Sequence, residues 1–88
     1  MIWPRFDQYV MNVVIYSRKG CIYCDMATEV AIQKGLNVDK KELGVDYTVE
    51  DFTAKFPYAH TVPQIVVDGE HVGGYQDLKD YLGNPDRL

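Results

Sequence analysis

This chain of 88 residues has only two cysteines. It also lacks long apolar runs and an excess of basic residues. No apolar stretch approaches the roughly 20 residues that cross a membrane as a helix. The net charge is −4, which disfavours nucleic acid or an anionic membrane as the main partner. The length fits one domain. We therefore expect a small globular domain that binds neither nucleic acid nor membrane.

The first ten residues also lack the uninterrupted apolar core of a signal peptide, because Pro4, Arg5 and Asp7 interrupt them. We therefore expect a cytoplasmic protein, in a compartment whose reducing conditions disfavour permanent disulfides. We interpret residues 1–11 as an N-terminal extension and residues 12–88 as the functional domain.

Both cysteines, Cys21 and Cys24, lie in one short stretch with two residues between them. The four residues before this stretch, 13–16, are apolar and largely β-branched, which predicts a buried strand. Good helix formers follow it as far as Lys34, with no proline or glycine among them. The pair is therefore predicted to lie where a strand is followed by a helix, with Cys21 at the helix N-terminus.

This placement has a chemical consequence. Side chains three positions apart on a helix face the same way, with Cβ atoms about 5–6 Å apart. A disulfide needs a Cα separation of about 4.4–6.8 Å, so Cys21 and Cys24 can form and break a bond with little backbone movement. The free N–H groups and the dipole at a helix N-terminus favour an anion, and the thiolate is the reactive form of cysteine. The pattern favours redox chemistry.

Two other interpretations of the cysteine pair stay open at this point. A structural zinc site needs four ligands, and only His60 and His71 are available to complete it, from a predicted loop and a predicted strand. A purely structural disulfide would close a very short loop and would contribute little chain-entropy stabilisation. Both are weaker hypotheses than a redox-active pair.

The remaining pattern predicts the order β-α-β-α-β-β-α. The first half contains a βαβ unit, which implies parallel strands, and Asp68 and Gly69 form the two-residue turn of a hairpin in the second half. The predicted strands are 12–17, 36–43, 64–67 and 70–72, and the predicted helices are 22–34, 49–56 and 76–82.

Apolar spacing predicts the buried faces of the helices. The residues expected in the core are Ala27, Val30 and Ala31 on the first helix, Val49, Phe52 and Phe56 on the second, and Leu78, Tyr81 and Leu82 on the third. Thr48 and Asp51 form the pattern of a capping box at the start of the second helix. The charged residues of the second strand predict a position at the sheet edge.

Three motifs in this order resemble the glutaredoxin family. They are Cys-x-x-Cys at 21–24, Thr-Val-Pro at 61–63 and Gly-Gly-Tyr-Gln-Asp at 73–77. The match runs from residue 12 to residue 82 and is most similar to the small dithiol glutaredoxins of bacteria and their phages. The resemblance implies a thioredoxin-like α/β fold, a four-stranded mixed sheet with three helices in two layers flanking it.

The resemblance also implies a glutathione-dependent thiol–disulfide oxidoreductase, active in electron transport and cell redox homeostasis. Cys21 would attack disulfides or glutathione mixed disulfides, and Cys24 would resolve the intermediate. Pro63 would follow a cis peptide bond, Arg18 would hold the glycine carboxylate of glutathione, and Asp77 would pair with its amine. The residues implied to bind glutathione are Arg18, Tyr23, Thr61, Val62, Pro63, Gly74, Tyr75, Gln76 and Asp77.

Glutathione is expected as the reducing co-substrate, with no metal and no tightly bound cofactor. Protein disulfides are the other expected partners, among them ribonucleotide reductase by family resemblance, and we expect a monomer. Two alternatives stay open, besides the weaker one of a non-catalytic binding module. One is a redoxin reduced by thioredoxin reductase. The other is a carrier of a 2Fe–2S cluster held by Cys21 from two subunits and two glutathiones. The sequence departs from the family pattern at His60, Gln76 and Ile22, which replaces the usual proline.

Overall fold

The computed structural model describes residues 10–83. The elements are β1 (Asn12–Ser17), α1 (Ile22–Gln33), β2 (Asn37–Glu42), α2 (Val49–Lys55), β3 (Gln64–Val67), β4 (Glu70–Gly73) and α3 (Tyr75–Gly83). The predicted order is confirmed, and only element ends shift slightly. Residues 1–9 of the predicted N-terminal extension lie outside the described residues, so this assignment stays a prediction.

The four strands form one mixed sheet in the order β2-β1-β3-β4. β1 is parallel to β2 and antiparallel to β3, and β3 is antiparallel to β4. The polar strand β2 lies at the edge, as its charges predicted. Asp68 and Gly69 join β3 to β4 with φ values of 50° and 84°, which suits the two-residue hairpin turn that needs positive φ at both positions.

The main core lies between one face of the sheet and helices α1 and α3. Alternate residues of a strand point to opposite faces, so each of the two central strands contributes every second side chain to this core. Six residues with no exposed surface form one contact cluster in this core: Val13, Ile15, Ala27, Ile65, Val67 and Leu78. Small side chains at Ala27 and Ala31 bring α1 close to the sheet.

Aromatic rings cover the opposite face of the sheet. Tyr16 alternates with Ile15 along β1 and packs edge-on against Tyr47, with ring centroids 5.2 Å apart, and against Phe56, at 5.1 Å. Phe52 lies 5.9 Å from Tyr47 and 5.3 Å from Phe56. α2 therefore covers this face through its aromatic side chains. Helices on both faces of a four-stranded mixed sheet confirm the predicted thioredoxin-like fold.

One predicted core residue of α2 is not in the core. The capping box is present, since the Thr48 side chain accepts from the Asp51 N–H and the Asp51 carboxylate accepts from the Thr48 N–H. Phe56 is buried and Phe52 half-buried, but Val49 is 61% exposed, so its predicted burial is wrong. The aromatic contacts hold the later turn of this short helix against the sheet, and its first turn borders an open cleft instead.

Tyr47 provides a test of this aromatic face. Its hydroxyl donates to the carbonyl oxygen of Ser17 at 2.6 Å, and burial raises its pKa above the ordinary value of about 10. The neutral phenol is therefore favoured in the folded state, and its contribution to stability is complete below pH 10 and declines as the pH rises through the folded-state pKa. Tyr47→Phe is expected to cost about 1 kcal/mol at neutral pH. It should also show a smaller loss of stability above pH 10 in urea denaturation.

The matched control for this prediction is Tyr58→Phe, because Tyr58 is 93% exposed. This variant should follow the unmodified protein at every pH. A Tyr47→Phe variant that loses stability above pH 10 as steeply as the unmodified protein would contradict the role given to the buried phenol.

Candidate active site

Cys21 and Cys24 are joined by a disulfide at the start of α1, with their Cα atoms 5.2 Å apart. Cys21 is the N-cap residue, in an extended conformation, and Cys24 lies in the first turn of the helix. Cys24 has no exposed surface, whereas Cys21 keeps 7%. Cys21 is therefore the cysteine that a substrate can approach from outside, and Cys24 lies behind it.

Local groups at this helix end suit a thiolate on Cys21. The backbone N–H of Cys24 donates to the Cys21 sulfur at 3.1 Å, in the position that a capping oxygen usually takes. The carboxylate of Asp25, one turn on, carries a charge of the same sign as a thiolate. Lys40 pairs with Asp25, with Nζ 2.8 Å from Oδ1, and offsets part of the repulsion between this carboxylate and a thiolate on Cys21.

Ile22, which takes the first helical position, is 71% exposed.

The loop before β3 faces this sulfur. The peptide bond between Val62 and Pro63 is cis, as the family resemblance implied. The carbonyl oxygen of Val62 lies 3.8 Å from the Cys21 sulfur. The backbone of Val62 therefore borders the position that a second cysteine would occupy when bonded to Cys21.

Gln64 supports this loop, and the sequence analysis did not identify it. Its side chain is buried, its Nε2 donates to the carbonyl oxygen of Thr61 at 2.9 Å, and its Oε1 lies 2.7 Å from Nε2 of His71. The network links β4 to the loop that faces the disulfide. A buried polar side chain needs hydrogen-bond partners. In the sequence, the signal for a supporting role was a glutamine as the first residue of an otherwise apolar strand.

Eight of the nine residues predicted to bind glutathione line one cleft of about 600 Å³ beside the disulfide. They are Tyr23, Thr61, Val62, Pro63, Gly74, Tyr75, Gln76 and Asp77. The ninth, Arg18, lines a neighbouring cleft of about 340 Å³ that shares Thr61 and Val62 with the first. The fold thus brings three distant segments of the chain to one side of Cys21.

The start of α3 forms the far wall of this cleft. Oδ2 of Asp77 accepts from the backbone N–H of Gly74 at 2.9 Å, which fixes the first turn of the helix. Gly73 has a φ of 126°, and a Cβ atom there would collide with the Asp77 carboxylate. The Tyr75 ring lies 5.8 Å from that of Tyr23 and 5.3 Å from Lys79 Nζ.

Within residues 10–83, no group of three or more His, Cys, Asp or Glu side chains is arranged to hold a metal ion. None of the helices in this part of the chain combines the length and the apolar character needed to cross a membrane.

A thioredoxin-like fold with a Cys-x-x-Cys pair at a helix N-terminus, opposite a cis-proline loop, defines a thiol–disulfide oxidoreductase. The family model for glutaredoxin matches residues 13–72, and the chain belongs to the glutaredoxin family. It is 37% identical to glutaredoxin 1 of Escherichia coli over 81 residues, which covers 82% of this chain and 93% of that protein.

Two other similarities agree with this assignment. The solution structure of glutaredoxin from Brucella melitensis superposes with a TM-score of 0.68 at 32% identity and covers 88% of this chain and 86% of that one. The hybrid peroxiredoxin hyPrx5 of Haemophilus influenzae is 34% identical over 71 residues. The match covers 81% of this chain but only 29% of that longer protein.

The close contact at Gly73 leads to a prediction. Gly73→Ala must place a Cβ against the Asp77 carboxylate in a backbone conformation that alanine rarely adopts, so we expect a loss of about 1–3 kcal/mol in the free energy of unfolding. Chemical denaturation measures this change.

Gly83→Ala is the matched control. Gly83 is the last residue of α3, the helix that carries Asp77, and a Cβ there meets no atom of residues 10–83 within 4 Å. This variant should keep at least the stability of the unmodified protein, since alanine is a better helix former than glycine. Equal stability of the two variants would show that the Asp77 carboxylate does not constrain Gly73.

Proposed function

We propose that this protein reduces protein disulfides and glutathione mixed disulfides with electrons from glutathione, with Cys21 as the nucleophile and Cys24 as the resolving thiol. The family uses glutathione as its reductant. The observation that carries the proposal is the position of the Cys21 sulfur, which faces the carbonyl of Val62, a residue of the cleft formed by the predicted glutathione residues.

The chemistry is a series of thiol–disulfide exchanges. The Cys21 thiolate attacks one sulfur of a protein disulfide, the substrate S–S bond breaks, and the other substrate sulfur leaves as a thiolate. The Cys24 thiolate then attacks the Cys21 sulfur and releases the second substrate thiol, which leaves the Cys21–Cys24 disulfide. One glutathione thiolate opens that bond to a mixed disulfide with Cys21. A second forms glutathione disulfide and restores the Cys21 thiolate, so two electrons pass in all.

The cleft suggests how glutathione lies on the protein. Its cysteine would pair with the backbone of Val62 in the manner of an added strand. Its γ-glutamyl end would lie toward the start of α3, where backbone N–H groups favour a carboxylate and Asp77 would pair with the amine. Its glycine carboxylate would meet Arg18, whose Nη1 makes a long contact of 3.4 Å with the Lys19 carbonyl oxygen.

The two cysteines have separable roles, which variants distinguish. Cys24→Ser should keep reduction of glutathione mixed disulfides and lose reduction of protein disulfides, because the first reaction needs only Cys21. Cys21→Ser should abolish both, since no accessible nucleophile remains. Coupled assays with glutathione and glutathione reductase measure the two activities, and full protein-disulfide reduction by Cys24→Ser would contradict the assigned roles.

Arg18 and Lys19 form a matched pair for testing the glycine end of the glutathione site. Arg18→Ala should raise the KM for a glutathione mixed disulfide about fivefold, the loss expected for one exposed charge-assisted contact, with kcat little changed. Lys19→Ala removes an adjacent exposed charge and should change KM less than about twofold. A larger effect of Lys19→Ala would transfer the carboxylate role to that residue.

The setting of this activity is also a proposal. A chain with two cysteines, both in the redox pair, suits the reducing cytosol. Ribonucleotide reductase and a monomeric state remain expectations from family resemblance. If thioredoxin reductase reduces the protein and glutathione supports no turnover, the redoxin alternative would be favoured. Visible absorbance after anaerobic reconstitution with iron and sulfide would favour the 2Fe–2S alternative.

A further inference from the structure

The neighbouring cleft of about 340 Å³, which we name the α2 cleft, has room beyond the place proposed for the glycine end of glutathione. Its wall is apolar and comes from Leu43, Tyr47, Val49 and Phe52, while Arg18 and His60 lie at its polar side. Val49 is 61% exposed there, although the first turn of an amphipathic helix normally turns such a residue to the core.

This apolar wall is continuous with the site of disulfide exchange. Thr61 and Val62 line both the α2 cleft and the proposed glutathione cleft, and the Val62 carbonyl lies 3.8 Å from the Cys21 sulfur. In the proposed orientation, a polypeptide bonded to Cys21 and paired with the Val62 backbone would enter the α2 cleft where it continues past Arg18. Glutathione would end with its glycine at that point and would leave the apolar wall uncovered.

We propose that the α2 cleft binds an apolar side chain that lies two residues C-terminal to the reactive cysteine of a polypeptide substrate. This inference rests on the proposed function, because it uses the orientation that places the residue after the cysteine beside Arg18. The next residue of a polypeptide reaches the wall formed by Val49 and Phe52. The cleft volume accommodates a leucine side chain, and burial there removes apolar surface of both partners from water.

The α2 cleft thereby distinguishes two kinds of substrate that share one reaction. Both form the same bond between Cys21 and a substrate cysteine, and both release the other substrate sulfur as a thiolate. Only the polypeptide buries Val49. The cleft therefore adds selectivity among protein disulfides according to the residues that follow the cysteine.

A pair of peptides tests this subsite. In each, a cysteine bonded to a thionitrobenzoate chromophore is followed by glycine and then by leucine or serine. Attack of the Cys21 thiolate on the peptide sulfur releases thionitrobenzoate, and stopped-flow absorbance gives the rate at subsaturating peptide. We expect the reduced protein to react about tenfold faster with the leucine peptide, the ratio that about 1.4 kcal/mol of binding provides.

Val49→Asp should bring this ratio to within about twofold, because the charge makes burial of leucine unfavourable. Val45→Asp is the matched control. Val45 is 73% exposed, lies four residues earlier and does not line the cleft, so the same change of charge should keep the tenfold ratio. Equal rates for the two peptides with the unmodified protein, or an unchanged ratio in Val49→Asp, would overturn the subsite.

The proposed function is tested separately by turnover of a glutathione mixed disulfide with the same preparation of unmodified protein. Failure of that turnover together with a retained leucine preference would overturn the role of glutathione and support the apolar subsite. Normal turnover without a leucine preference would support the role of glutathione as the reductant and would overturn the apolar subsite.

Discussion

The antiparallel pairing of β1 with β3 is the constraint on which this site depends. Tyr16, near the end of β1, pairs with Gln64, the first residue of β3. In this register, the end of β1 lies beside the start of β3. The segment that leads into Cys21 and the segment that ends at Pro63 therefore lie next to each other at the same end of the two central strands. The contact between the Cys21 sulfur and the Val62 carbonyl follows from that placement. A shift of β3 by one residue against β1 would turn Ile65 out of the core, so core packing also maintains the geometry of the site.

The two faces of the sheet contribute differently. The face toward α1 and α3 is filled with aliphatic side chains that have no exposed surface, and it anchors the helix that carries both cysteines. The opposite face relies on a few aromatic rings, which hold α2 mainly through Phe52 and Phe56. The looser attachment of α2 leaves its first turn beside an open cleft. Substrate selectivity in our proposal therefore arises on the aromatic face, while the redox pair is supported by the aliphatic one.

Much of the fold was predictable because it is encoded locally. The β-branched run before Cys21, the turn residues Asp68 and Gly69 and the capping pattern at Thr48 each act over a few residues, and the structure confirms all three. Val49 was not predictable in this way. Helical periodicity identifies a face, but how far that face extends over the sheet depends on the length of α2 and on where Phe56 anchors it.

By itself, the sequence determined the positions of the two cysteines at a helix N-terminus, the alternation of the strands and the three motifs of the family, since each depends on neighbours along the chain. Only the tertiary structure decided that eight predicted residues share one cleft, that Arg18 lies in the next cleft, and that Gln64 supports Thr61. These relations join residues far apart in sequence. Their distances are set by strand register and by the packing of helices on a common sheet, which no local pattern contains.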